Sequence, residues 1–192
     1  MSVPVFSTHG CRLNAYESAA MAELAAAAGL EVSNGIVVNE NLVASDGSTY
    51  AIGDCASFPC LYFERQVRLE SVPNAVEHGR FVARQICGRS AHYECLPWFW
   101  SDQGKLKLQI AGPTTNATEI VTRRDDTGMV SFCFRNEKFL GVECIGRPTD
   151  FVWTRKLFAQ SRDTTQSELE RFDFDLRRLV ENQAVSKHQR SA

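Results

Sequence analysis

Beyond Lys105 the hydrophobic positions fall into an alternating pattern. Leu106, Leu108 and Ile110 alternate with polar residues, and the runs Ile120-Val121, Val130 to Phe134 and Phe139 to Val142 follow. Asp126-Thr127-Gly128 and Asn136-Glu137 separate these runs with residue types that hairpin turns favour. The pattern predicts an antiparallel meander of roughly three or four strands. Pro148 closes it, and a helix over Phe151–Gln160 is expected to pack across one face. A last helix is predicted from Ser167, with Glu170 completing a capping box and Leu169, Phe172, Leu176 and Leu179 on one stripe. From Asn182 onward the chain is polar and is expected to be disordered.

The first half has a different texture. Val3 to Phe6 reads as a short strand. Asn14 precedes an alanine-rich helix, with Glu17 at the capping-box offset and Gly29 as its stop. The alanines favour the helix by propensity but leave it a thin buried face, so it needs a neighbour. Asn34-Gly35 signals a turn before the strand Ile36-Val37-Val38; Asp46-Gly47 signals another before a strand at Tyr50-Ala51-Ile52, which runs into Gly53-Asp54. A helix follows from Ser71 to Gly88, with Pro73 in its first turn and Val72, Val76, Val82 and Ile86 on or near one face. Leu96 to Gln103 is the most aromatic stretch.

Composition narrows the class. The 192 residues, 44% hydrophobic, suffice for one medium domain or two small ones. A net charge of −2 gives no global attraction to nucleic acid or to an anionic membrane, and neither is expected as a partner. No apolar run approaches the ~20 residues that span a bilayer. Met1 to Gly10 carries no Lys or Arg ahead of an apolar segment, so it does not read as a signal peptide, and a cytoplasmic location is expected. The 7 cysteines are odd in number and include no C-x-x-C pair, and no histidine falls near them in a finger-like pattern. Neither a disulfide framework nor a metal site is expected.

Three short stretches carry candidate chemistry. Thr49 to Asp54 reads as a strand ending in a Gly-Asp corner, where a carboxylate can accept hydrogen bonds from sugar or ribityl hydroxyls and glycine lets a ligand approach. The same residues also suit a plain β-turn with Asp54 as its hydrogen-bonding member. The helix start at Ser71-Val72-Pro73-Asn74 offers backbone N–H groups to an electron-rich ring or an anion. The block Pro97 to Gln103, with Trp98, Phe99 and Trp100, suits either a planar cover for such a ring or a core cluster.

Taken in order, these stretches resemble the C-terminal part of FAD-dependent NAD(P)H:ferredoxin reductases, the group that includes the rubredoxin- and putidaredoxin-type enzymes. The resemblance runs from about Leu24 to Gln160. It is carried by Ala28-Gly29-Leu30 to Gly35-Ile36-Val37-Val38, Tyr50-Ala51-Ile52-Gly53-Asp54-Cys55-Ala56, Val67 to Ala75, and Pro97 to Gln103 with Leu106-Lys107-Leu108. It implies an α+β fold: a remnant of an FAD-binding α/β domain over 29–95, then an antiparallel-sheet C-terminal interface domain over 96–162 with flanking helices, and a helix and tail over 163–192. It assigns Asp54 to the ribityl-phosphate region of FAD, Val72 to the pyrimidine end of the isoalloxazine, and Trp100 to a place against the flavin. Glu70 is implied in a supporting or nicotinamide-side role. A ferredoxin or rubredoxin is the implied electron acceptor. Gly47, Ala44, Gly104 and Ile145-Gly146 depart from the family's usual residues.

No G-x-G-x-x-G occurs in the chain, so neither of the two nucleotide-binding units of such a reductase is present. The expectation is a truncated electron-transfer module holding half of an FAD pocket, with NAD(P)H served only if a partner supplies its domain, and inactive in hydride transfer alone. The alternative is a non-catalytic interaction module whose uncovered apolar face drives homodimerisation. His9 to Ser18 in turn resembles the opening of MtaB-type tRNA methylthiotransferases, which marks 1–28 as a separate segment fused near 20–28. That resemblance assigns Cys11 to an iron–sulfur cluster whose other cysteines, including a C-x-x-x-C-x-x-C motif, are absent, leaving Cys11 a stranded ligand. A tRNA methylthiotransferase fragment is the third reading.

Overall fold

The alanine-rich stretch forms helix α1, Arg12–Ala27, in a computed structural model that describes residues 12–89 and 92–190. Cys11 and the strand expected at Val3 to Phe6 lie outside the described residues. Asn14 does not cap α1 but sits within it, because the helical propensity of its neighbours carries the helix back past that position. The C-terminus is as expected: Gly29 takes φ +82°, its N–H donates to Ala26 O at 3.0 Å, and the Leu30 N–H donates to Ala25 O at 3.0 Å. The chain folds as two units, Met1–Cys95 and Leu96–Ala192.

In the first unit, β1 (Ile36–Val37), β2 (Ala56–Cys60) and β3 (Arg65–Val67) form one small sheet in that order. β1 and β2 are parallel, with Ile36 opposite Ala56; β2 and β3 are antiparallel, with Phe58 opposite Val67. The strand expected at Tyr50 to Ile52 is absent. Tyr50 makes only an isolated bridge to Val43, Gly53–Cys55 turn once as a 3-10 helix, and the strand begins after the corner instead of before it. Ala56-Ser57-Phe58-Pro59-Cys60 lacks alternation and contains a proline, so it carries no strand signal of its own, and its pairing partners supply the order. Helix α2 spans Val72–Ile86. It buries Asn74, His78, Phe81 and Val82, whereas Val72, Val76 and Ile86 are exposed at 64%, 43% and 70%. The apolar stripe read from the sequence is therefore mostly its outer face. The core is built from Leu42, Ala51, Ala56, Phe58, Val67 and Phe81.

The second unit holds a five-stranded antiparallel sheet of β4 (Trp98–Gln103), β5 (Leu106–Ala111), β6 (Glu119–Asp125), β7 (Gly128–Arg135) and β8 (Lys138–Ile145). The spatial order is β4-β5-β8-β7-β6. Of the runs expected to form the meander, β6 to β8 do so; the run Leu106 to Ile110 is β5, which pairs with β4 and β8 instead of β6, so the whole is not a simple meander. Asn136 and Glu137, at φ +50° and +65°, make the two-residue turn between β7 and β8. Helix α3, Pro148–Gln160, packs on β8 and β5 and buries Phe151, Leu157 and Phe158. Phe158 stacks on Phe139 at 5.6 Å between ring centroids.

The single helix expected from Ser167 is two. Helix α4, Gln166–Arg171, is capped by Thr165: its hydroxyl accepts the Glu168 N–H at 3.2 Å, and the Glu168 carboxylate accepts the Thr165 N–H at 2.9 Å. The capping box is thus Thr165/Glu168 and not Ser167/Glu170. Asp173 and Phe174 then adopt positive φ, and the Asp175 carboxylate accepts the Arg178 N–H at 3.0 Å to start α5, Leu176–Arg190. Residues 182–190, expected to be disordered, continue α5, since no glycine or proline stops it. The architecture is α+β: mixed helices with a largely antiparallel sheet. Among the described residues no helix is long and apolar enough to cross a membrane, and no three His, Cys, Asp or Glu side chains group as metal ligands.

Candidate functional site

The Gly-Asp corner lies where three segments of the first unit converge. Gly53 has φ +69°, a conformation that side-chain-bearing residues rarely adopt, and a Cβ there would come 3.3 Å from Ala75 Cβ. The corner therefore abuts the first turn of α2. Its backbone groups are taken from two directions: the Gly53 N–H donates to His78 Nδ1 at 3.0 Å, and Arg68 Nη1 donates to Asp54 O at 2.9 Å. The same Nη1 donates to Glu70 Oε1 at 2.6 Å, in an ion pair whose side chains are 2% and 11% exposed. Arg68 Cδ packs under Gly35, where a Cβ would come within 2.8 Å of it.

At the start of α2 the Ser71 hydroxyl accepts the Asn74 N–H at 3.4 Å, and Ser71 O accepts the Ala75 N–H at 3.0 Å. Pro73 has no N–H, so Val72 carries the remaining backbone donor of the first turn, beside an exposed side chain. The Asn74 amide donates to Leu69 O at 3.0 Å and ties the helix to the segment that carries Arg68 and Glu70. Asp54, Glu70 and Val72 are thus brought together around one corner.

His78, fully buried on α2, sits edge-on to Phe58 and Tyr93 with ring centroids 4.6 and 4.5 Å away. Burial lowers its pKa from the usual 6.5 to about 4. Since Nδ1 accepts the Gly53 N–H, the neutral ring carries its proton on Nε2. Burial also pushes the Tyr93 phenol up.

Trp100 lies in the second unit, half-buried on β4 opposite Gln109. Trp98, two residues earlier and so on the same face, stacks with it at 5.5 Å and 28° between planes. Trp98 also meets Phe151 at 5.6 Å and the Arg155 guanidinium at 4.6 Å. Trp98 is the member anchored to α3, and Trp100 extends the stack along the strand. Elsewhere in this unit a cleft floored by Phe132 and Phe174 is walled by the ion pairs Arg123–Asp173 and Arg147 with Asp125 and Asp150. Hydrogen bonds from Thr127, with help from Arg147, lower the Asp125 pKa to about 2.

Sequence reasoning missed Arg68 and His78. Arg68 stood in the quoted stretch Val67 to Ala75 with its Glu70 partner two residues away, which was the available signal. His78 gave none, because its partner Gly53 is 25 residues distant.

Comparison with known proteins finds a similarity in each half. Residues 98–180 match the family described as reductase C-terminal. Residues 18–79 match the family described as pyridine nucleotide-disulphide oxidoreductase, and Asp54, Glu70 and Val72 fall inside that match as Trp100 falls inside the match to the reductase C-terminal family. The chain is 46% identical over 160 residues to rhodocoxin reductase of Rhodococcus erythropolis, covering 82% of this chain and 38% of that protein. It is 39% identical over 137 residues to putidaredoxin reductase CamA of Pseudomonas putida, covering 70% and 32%. Among solved structures, the ferredoxin reductase for the CYP199A2 system from Rhodopseudomonas palustris aligns with a TM-score of 0.75 at 39% identity, covering 82% of this chain and 40% of that one. The reductase in the covalent putidaredoxin reductase–putidaredoxin complex aligns with a TM-score of 0.77 at 34% identity, covering 85% and 40%. The chain thus spans about two fifths or less of the length of each.

Proposed function

We propose that this chain supplies the flavin-facing and electron-delivering part of an NAD(P)H:ferredoxin reductase-type oxidoreductase. The observation that carries the reading is the convergence of the Gly53-Asp54 corner with the first turn of α2, at 3.3 Å between a Gly53 Cβ position and Ala75 Cβ. A carboxylate beside a helix start whose Val72 N–H faces outward suits the isoalloxazine and ribityl end of FAD. This arrangement does not fit its adenosine pyrophosphate, for which the chain has no glycine-rich loop. When bound, FAD supplies the exchange between a two-electron hydride from NAD(P)H and one-electron transfer.

Asp54 accepts hydrogen bonds from the ribityl hydroxyls, and the Val72 N–H meets the electron-rich pyrimidine edge, where the positive end of the α2 dipole favours negative charge. For Trp100 the family resemblance alone implies a place against a flavin. Glu70 acts through Arg68, with which it is ion-paired. The acceptor is a ferredoxin or rubredoxin, by analogy with the relatives whose names include putidaredoxin reductase and rubredoxin-NAD(+) reductase. NAD(P)H is served by a nucleotide-binding domain in trans or elsewhere in a longer polypeptide.

Titration of the purified chain with FAD, followed by tryptophan fluorescence, tests this. Saturable quenching at micromolar FAD, lost in Trp100→Ala and weakened in Asp54→Ala, is the expected result. No quenching up to millimolar FAD overturns the reading. A second reading rests on the exposed stripe Val72, Val76 and Ile86, which favours self-association of a non-catalytic module. A monomer in sedimentation velocity at high concentration would remove it.

A further inference from the structure

We infer that His78 and Arg68 are positioning residues that hold the Gly53-Asp54 corner in the shape that receives FAD; the inference rests on the reading above. The corner is one turn of 3-10 helix, too short to fix its own backbone. Its N–H at Gly53 and its carbonyl at Asp54 point in different directions and need partners once water is excluded. His78 accepts the first from within α2, and Arg68 donates to the second from the segment that follows β3. Both partners are themselves fixed. The imidazole is wedged edge-on against Phe58 and Tyr93, and Arg68 is bound to Glu70 and packed under Gly35.

The two bonds do different work. The His78 bond ties the corner to the helix whose first turn carries Val72, so the Asp54 carboxylate and the Val72 N–H keep a constant spacing. The Arg68 bond fixes the peptide plane after Asp54 and thereby the direction in which the carboxylate leaves the chain. Neither side chain needs to touch the flavin for its loss to be felt there. Only the acceptor at position 78 matters for this role, so a glutamine, whose Oε1 also accepts, should replace histidine, whereas leucine should not.

The test compares His78→Gln, His78→Leu and the paired variant Arg68→Met/Glu70→Gln, which removes both buried charges together and so spares the fold an unpaired one. Two quantities are read: hydrogen exchange of the Gly53 amide by NMR without flavin, and FAD affinity by fluorescence titration. His78→Leu should raise exchange of Gly53 and weaken FAD by about tenfold each, the scale of one lost buried hydrogen bond, with His78→Gln staying within about threefold of the parent. The paired variant should weaken FAD similarly. An unchanged Gly53 exchange rate in His78→Leu overturns the inference, as does a loosened Gly53 with undiminished FAD affinity. Failure of the parent chain to bind FAD at all overturns the flavin reading itself, an outcome separate from failure confined to the variants.

Discussion

Arg68 Nη1 stands 2.6 Å from Glu70 Oε1, two residues along the same chain, with both side chains almost wholly withdrawn from water. Withdrawal costs each charge its hydration, and the pair offsets that cost only while both members are present. Arg68→Ala should therefore destabilise the chain by about 3–5 kcal/mol, whereas Arg68→Met/Glu70→Gln should cost markedly less. Urea unfolding followed by circular dichroism distinguishes the two. Equal losses would mean that the charge on Glu70 finds another partner.

His78 makes stability depend on pH. Its folded pKa is lowered to about 4 from an ordinary 6.5, so between these values the unfolded chain binds a proton that the folded chain refuses. The contribution is complete above about pH 6.5 and fades as the pH falls towards 4, by about 3 kcal/mol in all. The difference in unfolding free energy between parent and His78→Gln, measured from pH 4 to 7.5, should follow that course. A pH-independent difference would show that the imidazole is not buried neutral.

The cap of α4 separates two residues that the sequence makes look alike. Thr165→Ala removes a hydroxyl bonded to the Glu168 N–H and should cost about 1 kcal/mol. Ser167→Ala touches only a 3.3 Å bond to Glu137 on the exposed side and should change stability by less than about 0.5 kcal/mol. Thermal or urea unfolding of the two variants settles which box operates.

Thiol reactivity should report the two environments of the cysteines. Burial pushes Cys133 and Cys144 up to about 12, with neighbouring carboxylates adding to the shift, so at pH 8 neither offers thiolate. Cys87 at the end of α2 is exposed. A thiol reagent at pH 8 should label Cys87 within minutes and reach Cys133 and Cys144 only in denaturant. Labelling of either buried thiol in the native state would show that the sheet opens.

The parts of this fold that were legible are those whose order is local. Leu106, Leu108 and Ile110, and the turn at Asn136-Glu137, announce the sheet of the second unit because period and turn chemistry sit in adjacent residues. β2 was invisible because Pro59 and the short Ala-Ser start deny it any local signal, and its order comes from Ile36 and Val67 at a distance. The exposed stripe of α2 misled for the same reason: valine at three of its turns says apolar, but which face meets a core depends on Phe58 and Tyr93. The break between α4 and α5 was written in Asp173 and Asp175, yet the leucine spacing ran smoothly across it. At the site, the Gly53-Asp54 corner was readable by residue type, while the bonds that orient it join residues 14 and 25 positions apart.

The sheet of the second unit is stitched by tight hairpins everywhere except at one seam, where β5 meets β8 with Leu108 opposite Ile145. Closing that seam brings together segments more than thirty residues apart, whereas β6, β7 and β8 zip through neighbours along the chain. On loop-closure grounds the three-stranded meander should form first in the time course of folding and the β4–β5 hairpin should join afterwards as a flap, carrying Trp98 and Trp100 with it. The aromatic pair should thus be the last part of the sheet to be set in place and the first to be released.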